Sequence, residues 1–234
     1  AYTDIKDPVK RVEGTFRCLV CVQGVVEDVL REKMDLGVER VESFVYLGDC
    51  IDAAGGCRSA VTARVRAGWR KFRELGGVLC AKDWPLKIRG KVYRTCVRTV
   101  MTYGSETWAM KVEDEAVLRR AERAMVRRIC GVSLCEKRRS DELGRMIGLE
   151  SDIITIVTKS RLRWYGHVMR RDEENGIRKV LNLSVSGKRC RGRPSLTWKA
   201  VLKNDLQENA IRVDCTDRRR WRERVNMIET RLPP

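Results

Sequence analysis

The chain has 234 residues, room for one medium domain or two small ones, and its 43% hydrophobic content excludes a wholly disordered polymer. Its 49 Lys and Arg against 32 Asp and Glu leave a formal charge of +17, which attracts polyanions and, inside a cell, phosphate backbones above all. The longest apolar runs fall far short of the roughly 18–20 residues of a bilayer span, and no secretory signal opens the chain, so an intracellular protein with no membrane partner is expected.

In chain order, residues 15–51 read as strands. The run 15–22 is β-prone and stops at Gly24; 38–51 alternates loosely, with Val41, Phe44 and Tyr46 supplying β-branched and aromatic character, until Gly55-Gly56 breaks it. From Arg58 the period becomes helical. Val61, Val65, Trp69, Phe72 and Leu75 form one stripe ending at Gly76-Gly77. Pro85 opens a second helix whose predicted stripe is Ile88, Val92, Cys96 and Val100, with Leu86, Tyr93 and Val97 beside it. A turn at Tyr103-Gly104-Ser105 precedes a third helix over 113–129, with Val117, Ala121, Met125 and Ile129 inward. Ser140 is the expected N-cap of a short helix. A fifth helix spans 152–169, with Ile153, Ile156 or Val157, Trp164 and Val168 inward. A basic loop over 184–193 follows, then a helix after Pro194 carrying Trp198, Leu202 and Leu206. Asp217 caps a last one carrying Trp221, Val225 and Ile228. The expected fold is mainly α: a short N-terminal β-hairpin, a helical bundle and a basic helical tail.

Ten cysteines are scattered through this pattern, several at core-like positions, which favours reduced thiols over disulfides. Cys18-x-x-Cys21 supplies two thiolates, half of a tetrahedral zinc site, with no second such pair downstream. The lone histidine, His167, argues against His-pair enzymes and His-rich metal centres; a satisfied, partly buried role is the simpler one. Phosphate-binding-loop, nucleophile-elbow and zinc-protease motifs are absent. The acidic runs 113–115 and 172–174 read as helix-start charges or solvated faces. Lys188, Arg189, Arg191 and Arg193 surround an Arg-Gly-Arg-Pro core similar to the centre of an AT-hook, a minor-groove reader. A basic loop touching phosphate non-specifically, or nothing, competes with that reading. Arg161 and Arg163 beside Trp164 and Tyr165 interleave cations with aromatics as single-strand binders do, although Trp164 also fits a core stripe.

Four strings occur in a characteristic order: Phe44-Val45-Tyr46-Leu47-Gly48-Asp49, Tyr103-Gly104-Ser105-Glu106-Thr107-Trp108, Leu162-Arg163-Trp164-Tyr165-Gly166-His167-Val168, and Arg191-Gly192-Arg193-Pro194 followed by Trp198. Together, over about residues 38–225, they resemble the C-terminal part of reverse transcriptases of endonuclease-bearing non-LTR retrotransposons. The resemblance implies a primer-grip-like strand at Phe44, Tyr46, Leu47 and Gly48, then thumb helices that ride on a template–primer duplex. Phe16 to Cys21 is similar to the last ligands of a zinc finger that some members insert before the primer grip; the upstream ligands are missing, so Cys18 and Cys21 form an orphan half-site. The family's catalytic aromatic-x-Asp-Asp strand has no counterpart, since the chain contains no Asp-Asp pair.

The implied organisation is a zinc-finger remnant and connector at 1–37, primer-grip-like strands at 38–57, a thumb-like bundle at 58–150 and a basic C-terminal region at 151–234. The chain begins without methionine and reads as a cut or a gene fragment. The expected function is nucleic-acid binding without catalysis, on RNA/DNA template–primer or duplex DNA, in the nucleus. Phosphate contacts are expected from Arg161, Arg163, Lys188, Arg189, Arg191 and Arg193. No cofactor is expected in this chain and no small-molecule substrate; the parent enzyme would use Mg2+, with Zn2+ in the missing finger. A free-standing DNA-binding protein with an AT-hook-like loop and a non-functional remnant are the alternatives.

Overall fold

The computed structural model describes residues 41–46, 49–52, 56–182, 196–212 and 214–228. Within them the chain is mainly helical, with one antiparallel hairpin at its start. Strands β1 (Ser43–Tyr46) and β2 (Asp49–Asp52) pair Phe44 with Ile51 and Tyr46 with Asp49. Ten helices follow: α1 (Arg58–Glu74), α2 (Gly76–Leu79), α3 (Leu86–Val92), α4 (Arg98–Met101), α5 (Val112–Cys130), α6 (Ser140–Met146), α7 (Ile153–Met169), α8 (Gly176–Asn182), α9 (Trp198–Glu208) and α10 (Arg218–Asn226). The zinc-finger-like segment with Cys18 and Cys21, the primer-grip-like residues Leu47 and Gly48, and the predicted basic loop with Lys188, Arg189, Arg191 and Arg193 lie outside the described residues.

Two apolar clusters organise the helices. The larger gathers Val61 and Phe72 of α1, Tyr93, Val97 and Met101 from the α3–α4 segment, Leu118, Met125 and Ile129 of α5, and Ile153 and Val157 of α7. The smaller gathers Leu162 and Val168 of α7 with Trp198, Leu202, Trp221 and Val225 of α9 and α10. Helix α7 therefore serves both, its first turns in one cluster and its last in the other. Within the described part of the basic tail, Trp198 and Trp221 pack back onto α7.

The α1 and α5 stripes follow the helical period, but α3 departs from the predicted face. Ile88 is exposed at 43%, while Arg89, Gly90, Tyr93, Val97, Arg98 and Met101 are buried. A π-helical turn at Tyr93–Val97 joins α3 to α4 and shifts the phase of the stripe. The inward arginines find acceptors on neighbouring helices. Arg98 meets Glu122 of α5 through Nε to Oε1 at 2.7 Å and Nη2 to Oε2 at 3.2 Å. Arg89 Nη1 donates to the carbonyl of Ile129 at 2.8 Å, capping the end of α5. Two boundaries also move. Gly76-Gly77 begins the short α2 instead of a loop, and Arg139 rather than Ser140 precedes α6, with no side-chain cap. Asp217 caps α10 as expected, accepting from the amides of Arg219 and Arg220.

The cysteines in the described residues are free thiols. Cys57 is buried, with its thiol facing Asp114, and burial followed by the Asp114 charge pushes it up to about 12. Cys80 and Cys135 are exposed. Only thiolate alkylates, so at pH 8 maleimide is expected to label Cys80 and Cys135 at least about a thousandfold faster than Cys57 in native protein. Peptide mapping of a timed labelling series checks this, and early modification of Cys57 would contradict the buried assignment.

Candidate nucleic-acid interface

A two-stranded hairpin is marginal alone, so its position depends on what holds it. Here β2 packs on α1, and Asp49 supplies the latch. One Asp49 oxygen accepts from the Cys50 amide at 3.0 Å and the other from Trp108 Nε1 at 3.4 Å. Burial raises the Asp49 carboxyl above its ordinary range, against the opposing hydrogen bonds from Trp108 and Cys50 and the charge of Arg64. Arg64 itself lies over the Tyr103 ring, 4.3 Å from its centre. Gly104 turns the chain with φ +76, and a Cβ there would stand 3.3 Å from Asp49 Oδ2, so this position demands both left-handed backbone and a bare Cα.

The other strand carries exposed apolar side chains. Phe44 is 55% exposed and Val45 70%, and the Phe44 and Tyr46 rings, two residues apart on one face, stack at 6.5 Å. The hairpin thus presents an aromatic surface beside the basic α1, where Arg66, Arg70 and Arg73 are exposed.

Described residues of the other motif segments meet at the same joint. The 3-10 turn Ser105–Thr107 packs against α7. Trp198 Nε1 donates to the Glu106 carbonyl at 2.8 Å. Trp221 Nε1 donates to the Leu162 carbonyl at 3.0 Å across Gly166. Segments far apart in sequence therefore meet as interlocking architecture, with indole N–H groups reading backbone carbonyls and a carboxylate.

Placement corrects some expectations and leaves others open. Arg161 is 2% exposed, with its Nη1 bonded to Asp205 Oδ2, so it is a core ion pair and cannot reach a phosphate in this fold. Burial raises the Asp205 carboxyl, with the Arg161 charge pulling against it. Arg163 is exposed and donates to Asn226 Oδ1 at 3.0 Å. Trp164 is half-buried against the smaller cluster, in keeping with a packing role. His167, expected to be partly buried, is exposed and stacks on Trp164 with ring centres 5.5 Å apart. Lys159, Arg171 and Arg218, which join Arg163 and His167 on one surface, were not singled out from the sequence. The spacing of four between Lys159, Arg163, His167 and Arg171 was the available signal. Among the described residues no group of three or more His, Cys, Asp or Glu side chains could hold a metal ion, and no helix is long and apolar enough to cross a membrane.

The chain is similar to an uncharacterized transposon-derived protein of Caenorhabditis elegans, 27% identical over 173 residues, which are 72% of this chain. The match covers 62% of that protein's own length. This similarity is consistent with an origin in a transposable element. No family model matches the chain, and no solved structure does.

Proposed function

We propose that the chain is the nucleic-acid-holding thumb and C-terminal part of a retroelement reverse transcriptase, which grips a template–primer duplex and does not itself extend it. The observation that carries this reading is the joint at Asp49 and Trp108. It ties an exposed aromatic hairpin to a basic helical bundle, the coupling needed if a primer-gripping strand and a thumb are to act as one body. The charge supports it: residues 161–224 alone hold 18 Lys and Arg against 8 Asp and Glu. Similarity to a transposon-derived protein agrees with the same origin. No step of polymerase chemistry is assigned to this chain.

Binding of this kind rests on counterion release. If about 4–6 cations face the duplex, log affinity should fall against log salt with a slope of roughly −3 to −5. Fluorescence anisotropy with an RNA–DNA hybrid and with a DNA duplex of the same sequence, titrated over a KCl series, measures it. Little sequence preference is expected, and no primer extension when Mg2+ and nucleotides are added. Salt-insensitive affinity, or template-dependent extension by the purified chain, would overturn the reading.

A further inference from the structure

The outward ridge of α7 has a charge pattern that the joint does not use. Lys159, Arg163 and His167 recur every four residues, about 6 Å of helix rise per step, and Arg171 continues the row just past the helix end. Arg163, His167 and Arg171 are exposed, Lys159 is half-buried, and the exposed Arg218 of α10 adds its charge near His167.

Apart from Asp172, which is exposed next to Arg171 at the end of the row, the acidic groups of this neighbourhood are engaged elsewhere. Asp205 pairs with Arg161, Glu173 with Arg178, Glu174 with Lys179, and Glu223 with Arg219. Asp217 caps α10 and pairs with Arg220, and Asp214 is held by Thr216. Glu150 acts on Lys159 from the far end of the row. Among the described residues no salt bridge reaches Arg163, Arg171 or Arg218. Their hydrogen bonds go to neutral groups: Lys159 Nζ to the Asn226 carbonyl at 3.0 Å, Arg163 to the Asn226 side chain, and Arg171 Nη2 to His167 Nε2 at 3.2 Å. A row of cations holding one another apart with no anion between them is complementary to a row of phosphates.

We propose that this ridge, Lys159, Arg163, His167 and Arg171 with Arg218, docks the phosphodiester backbone of a nucleic-acid duplex, and that protonation of His167 tightens the grip. The proposal rests on the nucleic-acid reading above and adds to it a specific surface and its regulation. In the free protein, desolvation of the ring face stacked on Trp164 and then the charges of Arg171, Arg170 and Arg218 hold the imidazole below the ordinary histidine range. Arg170 is itself committed to the Cys215 carbonyl at 2.8 Å. Neutral His167 accepts the Arg171 hydrogen bond at Nε2. The imidazolium cannot accept, so protonation both adds a charge to the ridge and releases Arg171 toward the ligand. The indole face of Trp164 under the ring favours the charged form. A phosphate on the ridge reverses the local repulsion, so binding draws a proton onto His167. By linkage, lowering the pH then strengthens binding.

His167 is the only histidine in the chain, so its imidazole proton resonance can be followed without ambiguity. Proton NMR titration of the full chain, free and saturated with a DNA duplex of about 20 base pairs, should show the His167 titration moving to higher pH on binding. In anisotropy, affinity for that duplex should rise about tenfold between pH 8 and pH 5.5, the effect of one unit of linked pKa change. His167→Gln should flatten this pH dependence, while His167→Lys should bind tightly at both pH values. Arg163→Ala with Arg171→Ala should reduce the salt slope by about 2. Salt-dependent binding with an unmoved His167 titration, or with the same pH dependence in His167→Gln, would overturn this inference alone. No binding at either pH would overturn it together with the proposed function.

Discussion

Replacing Glu122 with alanine is expected to cost about 3–5 kcal/mol of folding stability, a large share of the ~5–15 kcal/mol that holds an ordinary domain folded. Glu122 is 6% exposed and accepts from four donors: Arg98 Nε and Nη2, the Tyr93 hydroxyl at 3.3 Å and the Ile153 amide at 3.2 Å. Burial pushes its carboxyl up and Arg98 pulls it back. Alanine leaves the Arg98 charge, 2% exposed, without its counterion in the apolar centre. It also strips the acceptor from Tyr93 and from the first amide of α7. Arg98 also donates to the Ser151 carbonyl, so this one pair ties α4, α5 and the entry to α7 together. Glu122→Gln keeps one acceptor oxygen and should lose less. Arg98→Met combined with Glu122→Leu removes both charges and should cost clearly less than the two single losses added. Urea unfolding midpoints of these variants, with Arg98→Met and Glu122→Leu also made singly, check the order; a Glu122→Ala protein within about 1 kcal/mol of the parent would contradict a desolvated pair.

Gly90→Ala should be nearly as damaging, against the usual helix rule. Alanine in a helix interior ordinarily gains about 1 kcal/mol over glycine. At Gly90 of α3 the new Cβ would stand 1.8 Å from the Ile147 carbonyl oxygen and 2.7 Å from its carbon, and backbone at the end of α6 cannot swing aside as a side chain can. The overlap must separate α3 from α6, for a net loss of about 3 kcal/mol or more. Gly166→Ala in α7 meets Trp221 Nε1 at 2.4 Å and should break the Trp221 hydrogen bond to Leu162, loosening α10 in particular. Gly77→Ala is the contrast: a Cβ there meets nothing within 4 Å, so any change should be small. Thermal unfolding followed by circular dichroism separates these cases, and a Gly90→Ala protein as stable as the parent would show that α3 and α6 do not touch as described.

Much of the secondary structure was legible in the sequence because it is local. The α1 stripe from Val61 to Phe72 and the Asp217 cap depend on residues within a few positions of each other, and both occur as read. The change from β-like alternation to helical period near Arg58 is also local, and the hairpin and α1 lie on either side of it. The error over α3 has a physical cause. Hydrophobicity alone puts Ile88 inward, whereas the π turn at Tyr93–Val97 and the pairing of Arg98 with Glu122 decided which side faces the core.

For the candidate interface, the sequence alone determined the sign and size of the charge, the single histidine and the order of the aromatic motifs. Which cations are available to a ligand was decided only by the tertiary structure. Arg161 and Arg163 are two residues apart in the same basic-aromatic string, yet one is locked to Asp205 and the other lies on the surface. An arginine is buried when a carboxylate from a distant element offsets its desolvation, and Asp205 stands 44 residues away from Arg161. The latch at Asp49 works across a similar gap, 59 residues from Trp108. Local spacing carries no record of such partners; they come together only when the apolar clusters close.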